Sequence, residues 1–241
     1  MPAGMSTSTA QVISRDSVAL RAARSATLFS STVGRKAVMA ASGIVLFGFV
    51  FVHMVGNLQI FLGPAALNGY GALLRHAFHG AGLWIARLTL LGAAAAHTWA
   101  AASLTIENRA ARPVRYRVTA HAASTYASRT MVWSGPILLL FVVYHLLHFT
   151  IGSVHPSFAE GDVYHNVVAG FQVAPVSLFY ILSMLALGLH MQHGIWSMLQ
   201  TLGLSHPRWN RLRLAFSTAA TAVVVLGNCS IPIAVMTGLI R

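Results

Sequence analysis

Long apolar runs separated by short polar breaks dominate this chain. Five of them, at about 36–62, 82–106, 129–152, 172–200 and 213–238, reach the ~20 residues a helix needs to cross the hydrocarbon layer of a bilayer. The breaks carry turn chemistry. Gly63-Pro64 ends the first run, Gly82 opens the second, and Pro113 lies in a link from Asn108 to Arg117. Pro156 lies in the segment Gly152 to Gly161, and Ser205-His206-Pro207 separates the last two runs. With no water inside a bilayer, every backbone N–H and C=O must be paired within its own segment, so such runs read as helices. The pattern predicts an all-α integral membrane protein: a five-transmembrane-helix bundle over residues 31–241, preceded by a tail of residues 1–30. Nothing suggests a separate soluble domain, so chemistry on a water-soluble substrate must come from another subunit.

Composition agrees. Of 241 residues 56% are hydrophobic and only 8% charged, against roughly 25% charged in a soluble domain. The net charge of +12 reports sidedness rather than nucleic acid, because no basic cluster is interleaved with aromatics in a soluble module. Arg15, Arg21, Arg24, Arg35, Lys36, Arg109, Arg112, Arg115, Arg117, Arg129, Arg208, Arg211 and Arg213 fall on one side, leaving Arg75, Arg87 and Arg241 on the other. The positive-inside rule then puts the N-terminus in the cytoplasm and the C-terminus outside. The outer loop carries Glu160 and Asp162. Cys229 is the only cysteine, which excludes an intrachain disulfide and a Cys-ligated iron–sulfur cluster. Residues 1–30 lack the apolar core of a secretory signal. Their Arg- and Ser-rich content would suit a transit peptide, but they read as a cytoplasmic tail with a short amphipathic helix around Val18–Phe29.

Four histidines lie deep in four of the runs: His53, His97, His145 and His190. An imidazole at bilayer depth is costly without a partner, and facing histidines can share a metal. A weak internal repeat relates them. The stretch Phe49 to Met54 resembles Phe141 to Leu146; His53 and His145 are 92 residues apart, and His97 and His190 are 93 apart. From a rise of ~1.5 Å per residue, His53 and His145 lie about 26 and 24 Å from the cytoplasmic face, and His97 and His190 about 14 and 15 Å. Two levels with two imidazoles each suit two stacked hemes, each held by a histidine pair. Small residues near the ligands, Gly43, Gly48, Gly56, Ala93 to Ala96, Gly188 and Gly194, would leave room for a flat macrocycle or serve plain helix packing. His148 and His193 follow His145 and His190 by three residues on nearly the same faces, but match the partner depths less well. They read as supporting or interfacial residues. His76, His79, His155, His165 and His206 lie in loops or at the interface. Arg35, Ser42 and Trp133 are polar or amphipathic groups near the inner level, each with an ordinary interfacial explanation.

Four segments carry a family resemblance: Gly34 to Ala40, His53 to Leu58 (HMVGNL), Phe141 to Phe149 (FVVYHLLHF) and His190 to Leu204 (HMQHGIWSMLQTLGL). Over about residues 31–240 the chain resembles the five-helix, diheme cytochrome b558 subunit of succinate dehydrogenases and fumarate reductases. The resemblance implies His53, His97, His145 and His190 as axial ligands of two hemes b, with none from the fifth helix. It implies an FAD flavoprotein subunit and an iron–sulfur subunit as partners. Electrons from succinate would reach a membrane quinone, often menaquinone, in a bacterial inner (cytoplasmic) membrane. One departure stands out. Some fumarate-reducing relatives have an acid two positions before the fourth-helix ligand, and here that position is Gly188, with no Asp or Glu inside any of the five runs. Diheme anchors of formate dehydrogenases or hydrogenases share the histidine chemistry but not the HMVGNL and HGIWSMLQTLGL segments. A transporter or non-heme anchor using histidines for protons or packing would purify colourless.

Overall fold

The computed structural model describes residues 29, 31–111 and 126–241. The tail of residues 1–30 with its helix around Val18–Phe29 (Phe29 apart), Arg15, Arg21, Arg24, Arg112, Pro113, Arg115 and Arg117, and the side chain of Arg129 lie outside the described residues. Among the described residues all regular structure is helical. α1 runs Thr32–Asn57 and tightens into a 3-10 turn over Leu58–Leu62; α2 is Pro64–His76 and α3 Ala81–Ala110. α4, Tyr126–Leu146, continues as a π turn over Leu147–Ile151, and α5 is Val163–Gln172, α6 Ala174–Thr201 and α7 Asn210–Met236.

The boundaries have local causes. The Ser31 hydroxyl accepts the Gly34 N–H at 2.9 Å, pairing one of the donors that a helix start leaves over. Gly63 turns the chain at φ 97°, a region open to glycine, so that Pro64 can open α2 where its missing N–H is harmless. Asp162 caps α5 by accepting the His165 N–H at 3.0 Å.

Four stretches are long and apolar enough to span a membrane: Thr32–Leu62, Thr130–Ile151, Ala174–Thr201 and Pro207–Met236. The run expected at 82–106 also folds as a helix. At 30 residues α3 is about 45 Å long, but Arg87, His97, Trp99 and an alanine-rich stretch dilute its apolarity, so it is not among the four. α2 and α5 are additions to the sequence reading, which treated both segments as loops.

The packing follows the repeat. α1 lies along α3, and α4 along α6, making two hairpins, each with a short helix in its connection. α6 also packs on α7 and touches α1, so α7 buttresses one side of the bundle. Ile60, Leu67, Phe141, Phe171, Tyr180 and Ile231 build the core near the end covered by α2 and α5, the cap end. Met54, Met191, Ile195 and Val224 build a second cluster next to it. The cap is pinned by Asn68, which donates to Asp162 Oδ1 and accepts the Tyr164 N–H, both at 2.9 Å. Large apolar side chains such as Leu88, Leu91, Leu140, Leu182 and Leu226 remain more than 60% exposed, the outer face a bilayer covers. At the opposite end, Arg35 pairs with Glu107 at 2.8 Å, joining α1 to α3.

Candidate functional site

The four long-run histidines come together as two pairs. The rings of His53 and His145 have centroids 5.9 Å apart and planes at 85°; those of His97 and His190 are 6.1 Å apart at 60°. Each pair bridges the hairpins, α1 to α4 and α3 to α6. Among the described residues neither α1 with α4 nor α3 with α6 shows extended backbone packing. A seam therefore runs between the hairpins, with a facing histidine pair at two places along it.

That spacing fits a shared metal. Two nitrogen–metal bonds of roughly 2 Å and two ring radii of roughly 1 Å add to about 6 Å between opposed centroids. One turn beyond His190 the helix surface is also open, since a Cβ on Gly194 would meet nothing within 4 Å. Not every small residue serves that purpose. A Cβ on Gly56 would collide with the Tyr70 ring, and one on Gly188 would press on Val225 at 2.9 Å. These two glycines permit close helix packing, against α2 and α7, rather than room in the seam.

In three of the four rings Nδ1 is engaged. His97 Nδ1 lies 3.3 Å from both the Met39 carbonyl oxygen and the Ser42 hydroxyl. A carbonyl only accepts, so His97 Nδ1 carries the hydrogen and Nε2 is left with a bare lone pair. His190 Nδ1 lies 3.3 Å from the Ser134 hydroxyl. His145 Nδ1 lies 3.4 Å from the Tyr180 hydroxyl, which also meets His148 Nδ1 at 3.1 Å. His53 stacks on Phe49, with centroids 5.2 Å apart and planes at 17°. A histidine that ligates a metal through one nitrogen commonly donates its other N–H to a neighbour, and the donor set here has that form.

The remaining sequence candidates resolve as follows. His148 is fully buried beside Tyr180 and Phe149, so it supports the His53–His145 level rather than joining the pair. His155 donates from Nε2 to the Asn166 carbonyl at 2.8 Å, and His165 Nε2 reaches the Ser157 carbonyl at 3.0 Å. Both therefore build the cap end and are more than solvated loop imidazoles. Trp133 is exposed. Ser42 is the residue the sequence reading undervalued: its hydroxyl donates to the Val38 carbonyl at 2.7 Å and faces His97, so it is not an ordinary interfacial group. Ser134 and Tyr180 were not singled out at all. Among the described residues no group of three or more His, Cys, Asp and Glu side chains forms a further metal site.

Residues 105–227 fit the family model described as the succinate dehydrogenase/fumarate reductase transmembrane subunit. No curated protein and no solved structure matches the chain.

Proposed function

The chain belongs to the succinate dehydrogenase/fumarate reductase transmembrane subunit family, and on that premise we propose that it is the diheme cytochrome b anchor of its complex. As a multi-pass membrane subunit of such an enzyme it has a flavoprotein and an iron–sulfur subunit as partners. In this reading α3 is the fifth span, the Arg35 end of the bundle faces the cytoplasm of a bacterial cell, and the cap end faces outward. The chain carries electrons between the iron–sulfur subunit and a membrane quinone, menaquinone by resemblance.

One observation carries the proposal: two histidine pairs, each about 6 Å between centroids, set between α1 and α4 and between α3 and α6, helices whose backbones do not pack together. His97 and His190 would hold the inner heme b, and His53 and His145 the outer one. A heme bound this way supplies a reversible one-electron iron couple. The protein residues do the rest. Nδ1 contacts hold the His97, His190 and His145 rings and leave Nε2 of each for a metal. The apolar walls exclude water, and Phe49 and Tyr180 hold the rings at the cap end against rotation. The Arg35–Glu107 pair ties α1 to α3 at the end where the iron–sulfur partner docks. Docking there sets the electron donor beside the inner pair, whereas docking at the cap end would put succinate chemistry outside the cytoplasm, against the charge bias that orients the chain.

A reduced-minus-oxidised spectrum of the purified complex tests the proposal. The expected result is the sharp α band of a low-spin b-type cytochrome. A colourless membrane subunit would refute it.

A further inference from the structure

The two seam histidines at the Arg35 end are supported by a duplicated device. Ser42 on α1 faces His97 Nδ1 on α3, and Ser134 on α4 faces His190 Nδ1 on α6, both at 3.3 Å. Ser42 and Ser134 are 92 residues apart, the offset that also relates His53 to His145. The residues three before them, Met39 and Met131, share that offset. The Ser42 hydroxyl, which donates to the Val38 carbonyl at 2.7 Å, lies 3.2 Å from the Met39 carbonyl, and the Ser134 hydroxyl lies 3.5 Å from the Met131 carbonyl. Both serines are more than nine-tenths buried.

Hydrogen-bond polarity follows from these partners. Each hydroxyl has one hydrogen, and a helix carbonyl takes it. At Ser42 the Val38 carbonyl takes that hydrogen at 2.7 Å, so Oγ keeps a lone pair that accepts from His97; the repeat assigns the same polarity to Ser134, which lies 3.5 Å from the Met131 carbonyl and 3.3 Å from His190 Nδ1. The histidine must then carry its hydrogen on Nδ1, which leaves Nε2 unprotonated toward the seam. At His97 the Met39 carbonyl enforces the same choice independently.

We propose that Ser42 and Ser134 are positioning residues that lock His97 and His190 in the metal-ligating tautomer and tune one and the same heme from opposite sides of the seam. This rests on the bis-histidine reading. An Nδ1–H donated to an oxygen makes the imidazole a stronger donor through Nε2, which favours the ferric state. Losing either hydrogen bond therefore raises the potential of the inner site and leaves the outer site alone, because the Tyr180 hydroxyl serves His145 separately.

The test uses the complete complex carrying Ser42→Ala or Ser134→Ala, with Ser42→Thr and Ser134→Thr as partners. Threonine keeps a hydroxyl able to bond back to its helix carbonyl. Heme content is read by pyridine hemochrome and potentials by redox titration. The expected result is that both alanine variants move the same one of two redox components upward. The shift should be about a tenfold change in ferric-to-ferrous ratio, ~59 mV for one electron, in Ser134→Ala and smaller in Ser42→Ala, where the Met39 carbonyl still accepts from His97 Nδ1, with the threonine variants restoring the parent value. Selective loss of that one component in the alanine variants, with threonine retaining it, supports the same conclusion. The inference is overturned if the two alanine variants move different components, if neither moves one while both hemes remain, or if threonine fares no better than alanine. A parent complex without heme would instead bring down the bis-histidine reading itself, and the inference with it.

Discussion

Replacing His190 with alanine should delete one heme and spare the other. The rings of His97 and His190, on α3 and α6, stand 6.1 Å apart, and those of His53 and His145, on α1 and α4, stand 5.9 Å apart, so the two pairs share no helix. The fold does not depend on the His190 ring. α6 is held by Met191 and Ile195, which pack with Met54 and Val224, and by its contact with α7. The loss therefore falls on the metal site. Removing a hydrogen-bond partner of a ligand typically costs 10–100-fold in metal affinity, and removing the ligand itself costs more. A weakening of at least about 100-fold, ~2.7 kcal/mol, is expected at that pair, and within about twofold of no change at the other. His148 cannot replace a lost His145, because it is buried and held by Tyr180. The assay is redox titration of the α band in four single alanine variants. His97→Ala and His190→Ala should abolish one component, and His53→Ala and His145→Ala the other. If the His53 and His97 variants lost the same component, the pairing across the seam would be wrong.

Three further outcomes follow from named contacts. Gly56→Ala drives a methyl into the Tyr70 ring and should cost about 1–3 kcal/mol, whereas Gly48→Ala, with no neighbour within 4 Å, should stay within about 0.5 kcal/mol; unfolding in detergent compares the two, and equal effects would contradict the packing. The Asp162 carboxyl is held below the usual carboxylate range by the His165 N–H and then the Asn68 amide. Its contribution to cap stability is thus complete above the ordinary carboxylate range and lost as pH falls through the depressed value. Melting of the complex between about pH 3 and 6 should lose part of its pH dependence in Asp162→Asn, and an unchanged profile would remove the cap from that role. Photo-cross-linkers at Arg109 and Arg208 should capture the iron–sulfur subunit; capture confined to positions around Leu67 or Glu160 would reverse the docking side.

What could be read from the chain was governed by period and contrast. The long helices stand out because apolar runs of bilayer length have few other solutions, and their ends fell within a few residues of Gly63, Gly152 and Pro207. The facing of His53 with His145 and of His97 with His190 was legible from depth and from the repeat. α2 and α5 were not, because each is short and mixes Asn68, Gly71, His165 and Asn166 with its apolar positions. Their apolar faces become obvious only against the core that Leu67, Val168 and Phe171 fill. Ser42 and Ser134 escaped for another reason. One serine in an apolar helix is usually satisfied by its own carbonyl, as both of these are, so the second interaction leaves no local signature. The offset that aligned His53 with His145 aligns these serines too, and applying it to every polar position of the first two runs would have exposed them.

The central claim is that this chain holds two hemes b between its two hairpins. It is met most directly by a pyridine hemochrome titration of the purified complex against the concentration of this subunit. The account predicts two hemes per chain; a ratio near one, or none, would contradict it.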